Sequence, residues 1–365
     1  MPRVLIVIAR LNVGGTTKYI SELVKGLHGS QYDVLVVSGK VQGSEREDSI
    51  VANLPLVRIK HLGRKISPIN DWRARSMLKN VIEEFKPDIV YSHTFKAGLL
   101  SRTIKDSIPR IHIFHGHLLK DPEFQGLKLR AILWIERMLA RKTKYLVTVG
   151  RKVADELLEV GIGVKSQYRS IGPGVTALVL QDREQSRIEL GISEELRPVI
   201  IWMARITSVK APKRVAEIAK FIPEAKFLLV GGGDMLDEVA ANLPGNVSIV
   251  GWQEATTIWA VADLAISTSE NEGMPIALIE ANLAGVPAIA LNVGSVSEVI
   301  INGITGYLFE AFGTDYILKV REIISNKTEL RLLGQTAKEY AKVEFVPEKM
   351  IRLHLELFEA VLKKT

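Results

Sequence analysis

Cysteine is absent from this 365-residue sequence. Its absence excludes disulfides, thiolate metal sites and a cysteine nucleophile, and it fits a reducing compartment. The sequence also lacks any run approaching the roughly 18 apolar residues of a membrane-spanning helix. Near the N-terminus the apolar stretch extends only from Val4 to Ala9, between Arg3 and Arg10, which is too short for a signal peptide. These absences predict a cytoplasmic protein without a membrane span.

Two common nucleotide-binding signatures are also missing. The sequence contains no Gly-x-x-x-x-Gly-Lys-Ser/Thr phosphate loop. The segment VGGGDML, from Val230 to Leu236, has a leucine where the third glycine of the dinucleotide fingerprint belongs. A P-loop enzyme is therefore excluded and a nicotinamide dehydrogenase is disfavoured.

Charge is unevenly distributed along a chain of globular composition. Hydrophobic residues make up 47% of the sequence and charged residues 24%, and the length fits two domains. Residues 1–172 hold 29 Lys/Arg and 16 Asp/Glu, whereas residues 173–365 hold 19 and 25, so that the net charge is +7. The basic N-terminal half predicts an anionic ligand or surface as its partner. No nucleic-acid recognition motif accompanies it, and we do not expect nucleic acid as a partner.

Short β-branched runs alternate with helical patterns twice along the chain. The first series includes RVLIVIA, YDVLVVSG, PDIVYSH, RIHIFHG and YLVTVG, and the second begins at RPVIIWMAR. Strands that are apolar throughout are typical of parallel sheets buried on both faces. We predict two doubly wound domains, 1–172 and 173–345, with a hinge at Gly172–Gly174. The amphipathic segment 346–365 is predicted to be a helix that packs back on the N-terminal domain.

Two glutamates stand in the segment SENEGMPIALIEANLAG. Pro275 suits the first position of a helix, which would leave the backbone N–H groups of 273–277 free to bind a polar or anionic ligand. Glu272 lies just outside that helix and Glu280 lies within it, among apolar neighbours. Carboxylates accept hydrogen bonds at two oxygens and suit vicinal hydroxyls. The alternative is a capping acid and a solvated helix charge.

Two further segments follow predicted strands. Arg205 and Lys210, in ARITSVKAPKR, can clamp a diphosphate, although the loop is alternatively a solvated basic one. Gly14 and Gly15 open a helix for which Thr16 or Thr17 is the expected N-cap.

Three histidines lie in and after the strand IHIF. His112, His115 and His117 occur within six residues, a cluster that suggests a metal site, but His115-Gly116 is predicted to end the strand and prevent their alignment. We therefore expect one functional histidine, His115, with His93 in the same region and His112 in ordinary polar packing.

One basic amphipathic segment, GLKLRAILWIERMLARKTK, follows the histidines. It is either a helix that lies on an anionic membrane or a domain helix with one solvated face.

Together these segments resemble the family 4 retaining glycosyltransferases, which have the GT-B fold of two Rossmann-like domains facing a central cleft. The similarity covers essentially the whole chain. Its most specific part is STSENEGMPIALIEANLAGVPAIALNVGSVSEVIINGITGYL, which is similar to the family's E-x7-E segment. ARITSVKAPKR, HTFKAGLLSR and IGPGV support it, since their order and spacing also match.

The resemblance implies a role for each candidate residue. Arg205 and Lys210 would hold the donor diphosphate, Glu280 the ribose and Glu272 the transferred sugar, and His115 would contact that sugar. The implied catalytic residues are His115, Glu272, Arg205 and Lys210. The implied donor-binding residues are Gly14, Gly15, Arg205, Lys210, Trp252, Glu272, Gly273, Met274, Pro275, Ile276 and Glu280. No cofactor or metal is expected, and no Asp-x-Asp metal motif is present.

The reaction implied is transfer with retention from a nucleotide-sugar, expected to be a UDP-sugar, to a polyprenyl-linked or glycan acceptor. It would take place in surface polysaccharide assembly, in the cytoplasm or peripherally at the inner membrane face. One departure from the family pattern is visible: VGSVSE has Ser295 where the family often has a second glycine. The alternatives are a GT-B sugar-nucleotide 2-epimerase and a non-catalytic nucleotide-sugar-binding protein.

Overall fold

A computed structural model describes residues 1–43, 45–63, 67–116, 125–192 and 197–363. By contact, the chain divides into two units. Unit 1 consists of Met1–Gly174 together with Pro347–Thr365, and unit 2 consists of Val175–Val346.

Each unit contains one parallel sheet flanked by helices. The strands are β1 (Arg3–Ile8), β2 (Asp33–Ser38), β3 (Leu56–Arg58), β4 (Ile89–His93), β5 (Arg110–Phe114), β6 (Tyr145–Thr148), β7 (Tyr168–Ser170), β8 (Val199–Met203), β9 (Lys226–Val230), β10 (Val247–Gly251), β11 (Leu264–Ser267), β12 (Ala288–Leu291) and β13 (Gly306–Phe309). The helices are α1 (Gly15–Gly29), α2 (Pro68–Phe85), α3 (Phe95–Arg102), α4 (Gly126–Ala140), α5 (Arg151–Glu159), α6 (Arg183–Glu189), α7 (Lys213–Phe221), α8 (Leu236–Ala240), α9 (Ala255–Val261), α10 (Ile276–Ala284), α11 (Thr314–Ser325), α12 (Lys327–Glu344) and α13 (Pro347–Leu362).

The strand order of each sheet reverses once. In unit 1 the order is β3-β2-β1-β4-β5-β6-β7, and in unit 2 it is β10-β9-β8-β11-β12-β13. All neighbouring strands are parallel; Val4, for example, pairs with Val34 on one side and with Ile89 on the other. This is the doubly wound order of Rossmann-like domains, so the predicted α/β fold class is confirmed.

Apolar strand residues form the core of each sheet. In β1, Val4 to Ile8 are completely buried, because helices cover both faces of a parallel sheet. The sheet of unit 2 has separate apolar clusters, one containing Ile201 and Leu228, the other Ile200 and Phe227. Successive strand residues point to opposite faces, which explains this alternation.

The chain passes between the units after Gly174 and again after Val346. A Cβ atom on Gly174 would lie 2.5 Å from the Cα of Pro347, so only glycine allows the two segments to cross this closely. After the second crossing, α13 packs on α1 of unit 1.

One ion pair is completely buried in unit 1. Arg102 of α3 donates from Nη2 to both carboxylate oxygens of Glu136 of α4, at 2.8 and 2.9 Å, and neither side chain is exposed to solvent. Separating such a pair is costly, because the remaining charge stays buried without its counter-ion.

We expect Glu136→Leu to destabilise unit 1 by about 3–5 kcal/mol, since it strands the Arg102 charge in the core. Urea unfolding followed by circular dichroism measures the loss. The exposed pair Lys79–Glu83 on α2 provides the control, and Glu83→Ala should change stability by less than about 1 kcal/mol. The double variant Arg102→Leu/Glu136→Leu should recover most of the loss. A Glu136→Leu protein as stable as the parent would contradict this account.

Candidate active site

The segments singled out in the sequence follow strands at the two points where strand order reverses. In unit 2, Arg205 and Lys210 follow β8, and Glu272 follows the neighbouring β11. In unit 1, Gly14 follows β1, and His93 is the last residue of the neighbouring β4. Open α/β sheets bind ligands in the crevice outside the carboxyl ends of such strands. Each unit therefore has one candidate ligand-binding edge.

The loop that carries Arg205 lies against a glycine triplet at the end of β9. Ala204 N donates to Val230 O at 3.1 Å, and Ile206 N donates to Gly232 O at 3.0 Å. A Cβ atom on Gly233 would stand 2.2 Å from Ile206 O. The glycines of VGGGDML therefore support the Arg205 loop, a role that the sequence did not reveal.

Trp252 lies beside the same triplet. It follows β10, and a Cβ atom on Gly232 would approach its Nε1 to 3.0 Å. The ring is partly exposed. Trp252 and the Arg205 loop thus flank the glycines together.

Lys210 and Glu272 form an ion pair across the strand-order reversal. Lys210 Nζ lies 2.6 Å from Glu272 Oε1, and both side chains are mostly buried. The same amine donates to Asn271 O at 3.3 Å. The prediction that the basic loop and the Glu272 turn serve one site stays a prediction, but the structure does bring these two residues into contact.

Thr268 holds the backbone beneath this ion pair. Its Oγ1 lies 3.0 Å from the carbonyl oxygens of both Lys210 and Ala211, and it accepts a hydrogen bond from Trp202 Nε1 at 2.9 Å. Ala211 has a φ of 47°, which is unusual for a residue with a side chain. Such strain persists where the surroundings over-determine the backbone, and it is common at functional sites.

The loop after β12 fixes the backbone of Glu272. Gly294 has a φ of +53°, and a Cβ atom there would lie 1.7 Å from Glu272 O. Ser295 N donates to Gly273 O at 2.9 Å. The Ser295 hydroxyl is buried and makes no hydrogen bond within the described part of the chain. Only a glycine at position 294 allows Glu272 O to approach this closely. Ser295 adds a buried hydroxyl next to that contact.

Helix α10 begins one residue later than the sequence predicts. Pro275 is its N-cap, with φ −76° and ψ 106°, and the helix spans Ile276–Ala284. The correction follows from the extended ψ of Pro275, whose carbonyl accepts from Leu278 N at 3.1 Å. The N–H groups of a first helical turn have no partner within the helix, so those near Ile276 are available to a ligand.

Glu280 lies on the buried side of α10. Only 3% of the residue is exposed. The alternative interpretation of Glu280 as a solvated helix charge is therefore wrong. A buried carboxylate needs hydrogen-bond donors, and burial without them is costly. Its predicted role with ribose hydroxyls remains a prediction.

In unit 1, the N-terminus of α1 differs from the expectation. Gly14, with a φ of +149°, is the N-cap and Gly15 is the first helical residue. Neither Thr16 nor Thr17 caps the helix. Thr17 is buried within it and donates to Asn12 O at 2.6 Å. Glycine takes the cap position because the backbone there is in the positive-φ region.

His115 belongs to a cluster of rings at the reversal point of unit 1. It follows β5, is partly exposed, and its Nε2 lies 2.9 Å from His93 Nδ1. The Tyr19 ring of α1 meets it edge-on, with centroids 5.1 Å apart. Burial, and then the neighbouring His354, lower the pKa of His115 to about 3, so that it is neutral near pH 7.

Residues distant in sequence complete this cluster. Tyr19 and Tyr91 each place a hydroxyl 3.3 Å from Nε2 of His354 on α13. No sequence motif links Tyr19, Tyr91 and His354, so only the structure reveals that they lie together. His112 instead contacts Ser92 Oγ at 2.9 Å in the core, as expected for polar packing. His117 lies outside the described residues, among which no group of three or more potential metal ligands occurs.

Helix α4 exposes apolar and basic side chains together. Leu127 is 81% exposed and Trp134 62%, while Lys128 and Arg130 of the helix and Arg141, just after its end, are also on the surface. No helix within the described ranges is both long and apolar enough to cross a bilayer.

Two family models match the chain. Residues 13–177 match "Glycosyltransferase Family 4" and residues 182–340 match "Glycosyl transferases group 1". Among structures, Anabaena Alr3699/HepE in complex with UDP-glucose superposes with a TM-score of 0.83 at 16% identity, covering 99% of this chain and 100% of that one. That likeness concerns the fold.

Relatives of known activity are similar over most of the chain. N-acetyl-alpha-D-glucosaminyl L-malate synthase of Bacillus anthracis is 31% identical over 318 residues, 81% of either chain. An Escherichia coli UDP-Gal:alpha-D-GlcNAc-diphosphoundecaprenol alpha-1,3-galactosyltransferase is 24% identical over 76% of either chain. For the sulfoquinovosyl transferase of Arabidopsis thaliana, 24% identity extends over 71% of this chain but only 54% of the relative. The two model matches and the 31% identity together show that this chain belongs to the family 4 glycosyltransferases, with the two Rossmann-like domains of the GT-B fold.

Proposed function

We propose that this glycosyltransferase moves a sugar, with retention of anomeric configuration, from a UDP-sugar to a lipid-linked or glycan acceptor. The observation that carries the proposal is the Lys210–Glu272 ion pair, which joins the loops after β8 and β11 beside the N-terminus of α10. One edge of unit 2 thus offers a cation, a carboxylate and free helix N–H groups. A nucleotide-sugar has anionic phosphates and neutral hydroxyls, and this edge can bind both.

Within this proposal unit 2 binds the donor. Arg205 and Lys210 hold the diphosphate and stabilise the charge that develops on it as the bond to the sugar breaks. Glu272 and the backbone N–H groups of Gly273, Met274 and Ile276 bind hydroxyls of the transferred sugar. Glu280 accepts hydrogen bonds from the ribose, and Trp252 borders the base.

Unit 1 binds the acceptor and contacts the transferred sugar. Gly14 and Gly15 have no side chain to obstruct a ligand. Apart from the two residues that adjoin Gly14, no described residue has an atom within 4 Å of where a Gly14 Cβ would be. His115 donates a hydrogen bond to the sugar. The acceptor hydroxyl attacks the anomeric carbon on the face from which UDP departs, and its proton passes to the departing phosphate oxygen, so that the configuration is retained.

The choice of donor and acceptor class rests on chemistry and on relatives. The E. coli relative is named for a UDP-sugar donor and a diphosphoundecaprenol acceptor, and the Anabaena structure contains UDP-glucose. An anionic lipid-linked acceptor also suits residues 1–172, where Lys and Arg outnumber Asp and Glu by 29 to 16. We infer peripheral contact of unit 1 with an anionic membrane through α4, in surface polysaccharide synthesis.

A thermal-shift screen of UDP-, GDP-, ADP- and TDP-sugars tests the donor, with NAD as the control. We expect a UDP-sugar to raise the melting temperature, because ligand at 100 times its Kd stabilises the folded state by about 2.7 kcal/mol. Nucleotide release that requires an acceptor supports transfer. Isomerised donor without acceptor would indicate an epimerase, and binding without turnover would indicate a non-catalytic protein. A shift with NAD alone contradicts the proposal.

Substitutions at the unit 2 edge test the site. We expect Lys210→Ala and Glu280→Ala each to lower donor turnover at least tenfold, or about 1.4 kcal/mol of barrier. The matched controls are Lys213→Ala and Glu238→Ala, which remove the two members of an exposed ion pair in the same unit. These controls should keep turnover within about twofold of the parent. Parental rates in both Lys210→Ala and Glu280→Ala would refute the site assignment.

Vesicle sedimentation tests the membrane contact. Binding to vesicles with anionic lipid should weaken as salt rises from 50 to about 500 mM, because exposed charges are screened. Trp134→Ser on α4 should weaken binding further by removing exposed apolar surface. Leu318→Ser on α11, where Leu318 is 56% exposed, serves as the control. Equal, salt-insensitive binding to neutral and anionic vesicles would count against the inference.

A further inference from the structure

We infer that His93 is a positioning residue that fixes the tautomer of His115, so that His115 presents its Nδ1–H as a hydrogen-bond donor to the bound substrate. The inference rests on the proposed contact between His115 and the transferred sugar, and it adds which atom makes that contact and what determines it. His93 has no assigned role in the proposed reaction.

The two imidazoles share one hydrogen bond. His93 Nδ1 and His115 Nε2 are 2.9 Å apart, and the rings stack with centroids 5.1 Å apart and an interplanar angle of 24°. Both rings are neutral near pH 7, because burial lowers the pKa of each histidine, that of His93 further through the neighbouring His115 and His354. A neutral imidazole has one N–H and one lone pair, so one ring donates and the other accepts.

The other ring nitrogen of His93, Nε2, determines the direction of this hydrogen bond. Its Nε2 is buried and has no hydrogen-bond partner among the described residues. If His115 were the donor, His93 would carry its proton on Nε2, as a buried N–H without an acceptor. Orphaned buried N–H groups are rare in folded proteins because they lose their bonds to water without replacement. His93 must therefore hold its proton on Nδ1 and donate it to His115 Nε2.

This direction determines what His115 can do. Because its Nε2 accepts from His93, its own proton lies on Nδ1. The ring is partly exposed, and His115 Nδ1 forms no hydrogen bond with another described residue. An outward Nδ1–H donates to an oxygen lone pair, as on a sugar hydroxyl, and cannot accept a proton. His115 is thus a donor in binding and not a general base in this tautomer.

The cluster behind the two histidines holds the ring in place. Tyr19 meets His115 edge-on at 86°, and Tyr91 packs on His93 with centroids 4.6 Å apart. Tyr19 OH donates to Ile171 O at 3.2 Å, and His354 Nδ1 lies 2.8 Å from Met350 O, which can only accept. His354 therefore carries its proton on Nδ1, and its Nε2 accepts from Tyr91 OH, 3.3 Å away. These hydrogen bonds fix Tyr19, and the Tyr19 ring in turn packs against His115 and holds its orientation.

Long-range ¹H–¹⁵N NMR of histidine-labelled protein tests the tautomer directly. We expect His115 to show a protonated Nδ1 and an unprotonated Nε2, with its signals assigned through His115→Gln. The exposed His28 gives the reference for an unconstrained ring. In His93→Phe, which keeps the ring shape but removes the donor, the His115 signals should move to the tautomer mixture of His28. An Nε2–H His115 in the parent protein, or unchanged signals in His93→Phe, would overturn the inference.

Kinetics test its consequence. His93→Phe should lower kcat/KM at least tenfold, while His93→Asn should restore it to within about threefold, because the asparagine amide N–H takes the place of Nδ1–H. His115→Asn, which keeps a donor at the Nδ1 position, should be at least fivefold more active than His115→Gln, which moves it. Melting temperatures confirm that each variant is folded. Equal activities of His93→Phe and His93→Asn would contradict the role of the donor.

The two readouts separate this inference from the proposed function. The tautomer is measured without any ligand, so the failure of every nucleotide-sugar to bind would refute the proposed function and leave the NMR result to judge His93. An active sugar transferase with an Nε2–H His115 would refute the inference alone.

Discussion

The unit 2 edge depends on one interaction, the ion pair between Lys210 and Glu272. It joins the loops that follow two neighbouring strands, and it does so where the strand order reverses. Each loop also has a backbone contact that supports it. Thr268 Oγ1 forms a hydrogen bond with Lys210 O, and Gly294 packs against Glu272 O. These supports hold the backbone of the two loops, and the ion pair then joins their side chains.

Glycine has a supporting function in this edge. The triplet after β9 resembles a ligand-binding turn in sequence, but the carbonyls of the Arg205 loop occupy the space where side chains would be. Glu272 O likewise occupies the space that a side chain at position 294 would fill. Both contacts bring a loop that carries a charged residue close to a neighbouring loop. A side chain at either glycine position would keep the two loops apart. A glycine-rich motif therefore indicates close approach, and the structure decides whether a ligand or the protein's own backbone approaches.

The unit 1 edge is organised differently, by neutral rings. Burial keeps His93 and His115 uncharged, so that their mutual orientation is governed by a single shared proton and by aromatic contacts. The last helix of the chain supplies His354 to the base of that arrangement. Because α13 belongs to unit 1 although it follows all of unit 2, the end of the sequence contributes to an edge formed by its beginning.

The sequence by itself determined the fold class, the family resemblance and the segments that end strands. Apolar β-branched runs alternating with amphipathic helices permit little besides parallel sheets, and Glu272 and Glu280 occur in a local pattern that can be recognised. Local signals were weaker at helix starts, where Pro275 and Thr17 were misplaced because capping depends on backbone angles that the residue type only favours. Only the tertiary structure decided that Lys210 pairs with Glu272, and that Tyr19, Tyr91 and His354 lie behind His115. Those contacts join residues far apart in the chain, so their formation depends on strand order and helix packing, which no local spacing encodes.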